Sequence, residues 1–340
     1  MKFSFWGRAA PVTVRRMDCP DILMTAPMLP PVIAALDAEF VLHRLWEQAD
    51  PDAHLRTIGP RIRGLATSTL GGRVDEALLA RLPALEIVAS FGVGYDNVDA
   101  IAAAARGIVV TNTPGVLDDE VADLTIGLLL ATLRQIPQAD RFLREGRWLA
   151  GNFPLSPTLR GRRVGILGLG NIGKAIARRL EAFDVSVAYH GRSPQPDVRY
   201  PWHPTPVALA AASDVLIAIV PGGAGTRHLV DAQVLAALGP NGILINVARG
   251  SVVDETALIA ALQSGTILAA GLDVYADEPR VPDALLAIPN LVLLPHIGSG
   301  SEFTRAAMGQ LVVDNLATWF STGKPITPVP ETTALSGLTQ

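Results

Sequence analysis

At 340 residues, 49% of them hydrophobic and 18% charged, the chain is long enough for two packed domains and too apolar to be disordered. A net charge of -4 leaves no electrostatic footprint for nucleic acid, and the longest apolar run, Leu124 to Leu133, is too short to span a bilayer. A single cysteine, Cys19, excludes an internal disulfide framework and the common zinc spacings; the expectation is a reducing, cytoplasmic setting with no metal site.

In chain order, residues 1–17 carry Lys2, Arg8, Arg15 and Arg16 and no acidic side chain. A transit-like presequence has that balance, but Gly7 and Pro11 interrupt any amphipathic helix, so residues 1–16 are expected to be a disordered extension. From Ile22 to Val110 short apolar runs alternate with helical patterns. Strands are predicted at Ile22–Met24, Phe40–Arg44, Gly64–Ala66, Ile87–Ser90 and Val109–Asn112, and helices at Pro31–Leu36, Asp75–Arg81 and Ala100–Arg106. Such alternation implies a parallel sheet covered by helices. Thr113-Pro-Gly115 breaks the chain, and a long apolar helix follows at Asp119–Leu133, with acidic residues 118–120 at its N-terminus where the helix dipole favours negative charge.

A second series opens after Leu159-Arg-Gly161. Its predicted strands are Val164–Leu167, Val185–Tyr189, Val215–Val220, Ile243–Asn246, Ala269–Val274 and Val292–Leu294. The helices between them are Ile172–Phe183, Pro206–Ala212, Asp231–Leu238 and Glu255–Ser264. The last helix, Glu302–Phe320, has no strand after it and is expected to return to the first domain. The predicted fold class is therefore α/β with two Rossmann-like doubly wound domains. A nucleotide domain (115–297) is inserted into a discontinuous, flavodoxin-like substrate domain (17–114 and 298–335), with a cleft between them.

The stretch from Arg163 to Gly173 carries the first chemistry. A buried strand runs into Gly168-Leu169-Gly170-Asn171-Ile172-Gly173 and then a helix. Gly168 permits the tight turn, Gly170 lets backbone approach a pyrophosphate, and Gly173 lets the helix pack on the sheet with its N–H groups toward phosphate. Without the strand before and the helix after, the same glycines would read as a structural turn.

Ligands of doubly wound sheets sit outside the carboxyl ends of the strands. Three ionisable residues fall there: Arg249 after Ile243–Asn246, Glu278 after Ala269–Val274, and His296 after Val292–Leu294. Singly, each reads as a loop or surface residue. Together they bring a guanidinium, a carboxylate and an imidazole to one crevice. Arg249 suits a carboxylate and its neighbouring carbonyl, His296 a proton transfer near neutral pH, and Glu278 beside it favours the imidazolium. His43, His54, His203 and His228 lack such a setting.

Four motifs in order carry a family resemblance: Gly168-Leu-Gly-Asn-Ile-Gly173, Asn246-Val-Ala-Arg-Gly250, Gly271-Leu-Asp-Val-Tyr-Ala-Asp-Glu-Pro279 and Leu294-Pro-His-Ile-Gly-Ser299. The chain resembles the D-isomer-specific 2-hydroxyacid dehydrogenases from about Met17 to the last helix. Residues 91–99 and 117–124 resemble the glyoxylate/hydroxypyruvate reductase branch. The resemblance implies that Arg249, Glu278 and His296 form a catalytic triad, and that the backbone N–H groups of Val93 and Gly94 hold the substrate carboxylate. By itself Asp273 reads as a helix or loop cap; the resemblance implies instead that it hydrogen-bonds the nicotinamide carboxamide, and that Val220, Pro221, Thr226, Val247, Ala248 and Gly298 complete the cofactor site. The segment Phe142–Leu149 resembles the family's dimerisation arm, so a homodimer is expected; Trp148 either reaches the neighbouring active site or packs within its own chain.

An NAD-type site calls for an acid at the end of the second strand, to bind the ribose 2′-OH. Here the strand ends in His190-Gly191-Arg192-Ser193, with Asp184 at the wrong end and Asp197 beyond two prolines. Arg192 and Ser193 would instead hold a 2′-phosphate, so NADPH (NADP+) is expected as cofactor and NADH is less favoured. The loop Thr67–Gly72 offers Leu70 as a small apolar wall, with Gly71 and Gly72 leaving room for backbone movement, which suits a small 2-keto acid such as glyoxylate or hydroxypyruvate. The expected activity is reduction of such acids to D-2-hydroxy acids. Alternatives are a phosphoglycerate-type dehydrogenase, for which only about twenty residues follow the last helix, an enzyme of aromatic keto acids, a formate-type dehydrogenase, which would pair its histidine with Gln rather than Glu278, or a nucleotide-sensing, corepressor-like binding protein.

Overall fold

The computed structural model describes residues 19–336; the expected extension, residues 1–16, lies outside them. The chain divides into two compact units.

The smaller unit takes the described residues up to Ala89, then Ala100–Thr111 and those from Val313 onward. Its strands are β1 (Asp21–Met24), β2 (Val41–Arg44), β3 (Ile62–Ser68), β4 (Ile87–Phe91, which leaves the unit after Ala89) and β5 (Val109–Thr111). They lie in the order β2-β1-β3-β4-β5, the flavodoxin-like arrangement, with β1–β2, β1–β3 and β4–β5 parallel. Helices α1 (Pro30–Glu39), α2 (Pro51–Ile58), α3 (Glu76–Ala80) and α4 (Ala100–Ala105) connect them. Asp50 caps α2 by accepting the Ala53 N–H, and Asp75 caps α3 by accepting that of Leu78.

The larger unit comprises Ser90–Asp99 and Asn112–Val312. It begins with α5 (Asp118–Arg134) and α6 (Ile136–Arg144), then β6 (Arg163–Leu167), α7 (Asn171–Leu180), β7 (Ser186–His190), α8 (Pro206–Ala211) and β8 (Val215–Ala218). There follow α9 (Ala232–Leu238), β9 (Ile243–Asn246), α10 (Glu255–Gln263), β10 (Ala269–Leu272), α11 (Asp283–Leu286), β11 (Leu291–Leu293) and α12 (Glu302–Thr322). The unit thus extends beyond 115–297 at both ends, and α12 starts in it and finishes in the smaller one.

The six strands pair in parallel, in the order β11-β10-β9-β8-β6-β7. The order reverses between β6 and β8, and that switch point lies at the glycine loop after β6. Strand alternation sends Val164, Ile166, Val215, Ile217, Ile243 and Ile245 to one face, against α5 and α7. Leu167, Leu216, Leu244 and Ala270 go to the other, against α8, α9 and α10. Both faces are covered, so these strands read as unbroken apolar runs; each buried Leu or Ile is worth about 1.5–3 kcal/mol.

Candidate active site

The glycine loop is built as its three roles require. Gly168 has φ +99, and a Cβ there would lie 2.8 Å from the Ile219 carbonyl oxygen and 2.9 Å from Val220 Cγ1. A Cβ on Gly170 would meet nothing within 4 Å, which leaves space for a ligand on that side. At Gly173 a Cβ would run into the Gly168 carbonyl group, so α7 can sit against β6 only without a side chain. Gly170 is the N-cap of α7 and no side chain caps the helix, leaving its first-turn N–H groups for an anion.

The turn after β7 is pinned on both sides. His190 Nδ1 lies 2.8 Å from the His203 carbonyl oxygen, and Trp202 Nε1 donates to the Gly191 carbonyl at 3.2 Å. Arg192 and Ser193 between them are exposed, and among the described residues Arg192 has no ion-pair partner. Asp184 stands at the far end of β7, where φ +53 ends the preceding helical segment. A dinucleotide with a 2′-phosphate fits this donor set: an uncapped helix end, an open Gly170 and a free guanidinium.

Arg249 is set by a turn that Asn246 closes from within. The Asn246 side chain donates to the Arg249 carbonyl at 3.1 Å and accepts the Ala248 N–H at 3.1 Å. Gly250 lets this turn touch the Tyr275–Ala276 backbone, since a Cβ there would overlap the Tyr275 carbonyl. The guanidinium itself is aimed by Asp96, whose carboxylate accepts from Nε at 2.9 Å, while Nη1 donates to the Ala248 carbonyl at 2.7 Å. Gly94 and Gly222 wall the group in: a Cβ on Gly94 would lie 2.6 Å from Cζ, and one on Gly222 would lie 3.0 Å from both Arg249 Cγ and Asp96 Cγ. Among the described residues the N–H groups of Val93 and Gly94 have no acceptor. Asp96 was not anticipated from the sequence.

Glu278 lies 2.6 Å from His296 Nδ1 through one oxygen and accepts the Tyr275 N–H at 3.0 Å through the other. Burial pushes its pKa up, but the His296 hydrogen bond, the Tyr275 N–H and the charges of His296 and Arg249 outweigh this and hold the carboxyl below its ordinary range. Tyr275 ties this turn to the end of β11 by donating to the Leu294 carbonyl at 2.9 Å; burial first, then Asp273 and Glu278, push its phenol up to about 12. With Nδ1 engaged, Nε2 of His296 is left to face a ligand.

His296 adopts φ +54, a left-handed conformation that costs a non-glycine residue on the order of 1–2 kcal/mol. Asp273 offsets it. Its carboxylate, 1% exposed, accepts the Ile297 and Gly298 N–H groups at 2.7 Å each. Burial raises the Asp273 pKa, while those bonds and the His296 charge counter it. Asp273 thus forms the loop cap that its position allowed, on the loop that carries His296.

Some anticipated features differ. Gly71 is not a point of slack: a Cβ there would lie 2.8 Å from Thr67 Oγ1 and closer still to Thr25, so the glycine serves close packing in the smaller unit. Gly72 alone is open, at φ +75. Leu70 belongs to the short turn after β3. Thr226 donates to the Pro221 carbonyl at 2.6 Å beyond β8, and Val247 and Ala248 are buried in the Arg249 turn. Trp148 is 64% exposed, which removes its alternative reading as a core residue of its own chain. A cavity of about 420 Å³ lined by Leu130, Arg134, Arg160 and Phe183 lies at the amino ends of the strands, away from this chemistry. Among the described residues no group of three or more His, Cys, Asp or Glu could hold a metal ion, and no helix is long and apolar enough to cross a membrane.

Residues 126–298 match the family model of the D-isomer specific 2-hydroxyacid dehydrogenase NAD binding domain. The chain belongs to that family. It is 46% identical over 314 residues to hydroxyphenylpyruvate reductase of Plectranthus scutellarioides, covering 92% of this chain and all of that one. It is equally identical, over 313 residues, to glyoxylate/hydroxypyruvate reductase A of Arabidopsis thaliana, again covering 92% of this chain and all of that one. Among solved structures, the NADPH-dependent glyoxylate/hydroxypyruvate reductase of Sinorhizobium meliloti, in complex with NADP and malonate, is 57% identical with a TM-score of 0.88 and coverage of 92% and 97%. All three span both units of the fold.

Proposed function

We propose that the chain is an NADPH-preferring reductase of small 2-keto acids, glyoxylate and hydroxypyruvate, giving D-2-hydroxy acids. One observation carries it: His296, held by Glu278, and Arg249, held by Asp96, both follow strand ends of one sheet and carry free donor edges. The 57% identical NADPH-dependent relative supports the substrate and cofactor class.

When bound, the nicotinamide supplies hydride. Gly170, the first turn of α7 and the strand-end residues Val220, Pro221, Thr226, Val247, Ala248 and Gly298 would hold the dinucleotide, and Arg192 and Ser193 its 2′-phosphate. Arg249 binds the substrate carboxylate and keto oxygen through its Nη groups, and the Val93 and Gly94 N–H groups take the carboxylate's other side. The Nε2–H of His296 gives its proton to the keto oxygen as negative charge develops there. Glu278 keeps the imidazole oriented through its contact with Nδ1.

We also propose a homodimer through α6 and the segment after it, where Ile136, Leu143, Trp148, Leu149 and Leu155 are more than half exposed. Light scattering should then give twice the 35.9 kDa chain mass. A lone cysteine suits a cytoplasmic setting. The 46% identical hydroxyphenylpyruvate reductase makes an aromatic keto acid the second substrate to test. The experiment is loss of NADPH absorbance with glyoxylate, hydroxypyruvate and hydroxyphenylpyruvate, repeated with NADH and with His296→Asn. Turnover of the first two with NADPH, absent in His296→Asn, supports the reading; no turnover of any keto acid would overturn it.

A further inference from the structure

One side chain links the two phosphate-facing parts of the larger unit. Gln195 Nε2 donates to the carbonyl of Leu169, between the first two glycines of the loop, at 2.9 Å. The Gln195 backbone N–H donates to the Tyr189 hydroxyl at 2.7 Å, and Tyr189 is 1% exposed. That bond anchors the far side of the turn bearing Arg192 in the sheet, while its near side is held through Gly191.

The geometry gives the first bond a consequence. The Leu169–Gly170 peptide is trans, so its carbonyl and its N–H point in opposite directions. Holding the Leu169 carbonyl on one side therefore aims the Gly170 N–H to the other. The Cβ position of Gly170 is open as well, with nothing within 4 Å of it. Among the described residues Gln195 is the sole partner of that carbonyl. Without it the peptide plane is free to rotate, because a glycine on one side imposes little restraint.

We propose that Gln195 is the positioning residue for dinucleotide discrimination: by one side chain it orients the N–H that meets the pyrophosphate and ties down the turn whose Arg192 meets the 2′-phosphate. This rests on the NADPH reading above. The two contacts are then coupled, and loosening Gln195 weakens recognition of both phosphates together. Arg192, by contrast, touches only one.

The test uses two fragments and isothermal titration of the full chain, without turnover. 2′-Phospho-AMP carries the 2′-phosphate and no pyrophosphate; ADP-ribose carries the pyrophosphate and no 2′-phosphate. Gln195→Leu should weaken both by roughly fivefold to tenfold, the scale of one lost hydrogen bond. Gln195→Glu, of similar shape but unable to donate at neutral pH, should do the same, and guards against a packing defect in the leucine variant. Arg192→Met should weaken 2′-phospho-AMP alone. If either Gln195 variant folds and binds both fragments within about twofold of wild type, or loses only one, the coupling is refuted. If the wild type fails to bind 2′-phospho-AMP while binding ADP-ribose, the NADPH reading falls and takes this proposal with it.

Discussion

Replacing Gly94 with alanine should cripple the enzyme without touching its cofactor site. The added methyl would stand 1.7 Å from Arg249 Nη2 and 2.6 Å from Cζ, where ordinary contact begins at 3.4 Å, so Nη2 must retreat by about 1.7 Å. It has little room to do so. Asp96 grips Nε, the Ala248 carbonyl grips Nη1, and the space beside Cγ is closed at Gly222. Even a 1 Å displacement at a substrate-positioning group costs about a hundredfold, or about 2.7 kcal/mol of transition-state stabilisation. The expected result is a fall of that size in kcat/KM for glyoxylate and hydroxypyruvate, with NADPH affinity by fluorescence titration and thermal stability unchanged. A Gly94→Ala enzyme within about threefold of wild-type kcat/KM would refute the claim that Arg249 acts from its observed position.

Gly173→Ala would press a methyl onto the Gly168 carbonyl group, backbone that cannot yield, so α7 must lift from β6. A drop in stability of about 1–3 kcal/mol by urea titration is expected, together with loss of dinucleotide binding; an unchanged midpoint would sink the packing role of this glycine. Glu278→Gln should lower kcat about a hundredfold at neutral pH, since the group orienting His296 loses its charge. Because the Glu278 pKa is held below its ordinary 4.5, the stability it contributes is fully present above that value and is lost as pH falls through the depressed one. The melting-temperature gap between wild type and variant should therefore close on acidification. A gap that widens toward acid would contradict the sign.

Most of the fold was legible because parallel strands covered on both faces read as unbroken apolar runs, and all eleven described strands lie within two residues of their predicted ends. β3 is the one strand that runs two residues past the prediction at both ends, Ile62–Ser68, as the prediction covered only its centre. Helices α2, α6 and α11 escaped for separate reasons. In α2 only Leu55 and Ile58 are buried, too few to set a period, although Asp50-Pro51 carried the N-cap signature. In α6 no residue is buried within the chain, so no apolar stripe faces a core, and the break from α5 is a left-handed Gln135 where a glycine would have been the cue. A four-residue helix such as α11 lies below the reach of periodicity.

The site was legible in a different measure. Arg249, Glu278 and His296 carry chemistry in their own side chains and stand beside glycines and prolines at strand ends, so motif and position expose them. The groups that aim them act through another residue. Asp96 lies 153 positions from Arg249, with no local pattern joining the pair. Asp273 is the intermediate case. A carboxylate inside the apolar run Ala269–Val274 cannot stay buried unpaired, since the desolvation cost of an ionised group far exceeds what one neighbour repays. That argument requires donors close by without naming them, and the structure identifies them as two consecutive N–H groups of the histidine loop. Those two bonds close the left-handed turn at His296, so Asp273 positions the imidazole that the proposed reaction uses as proton donor. Removing its charge by Asp273→Asn should then alter turnover through His296 before it alters cofactor affinity.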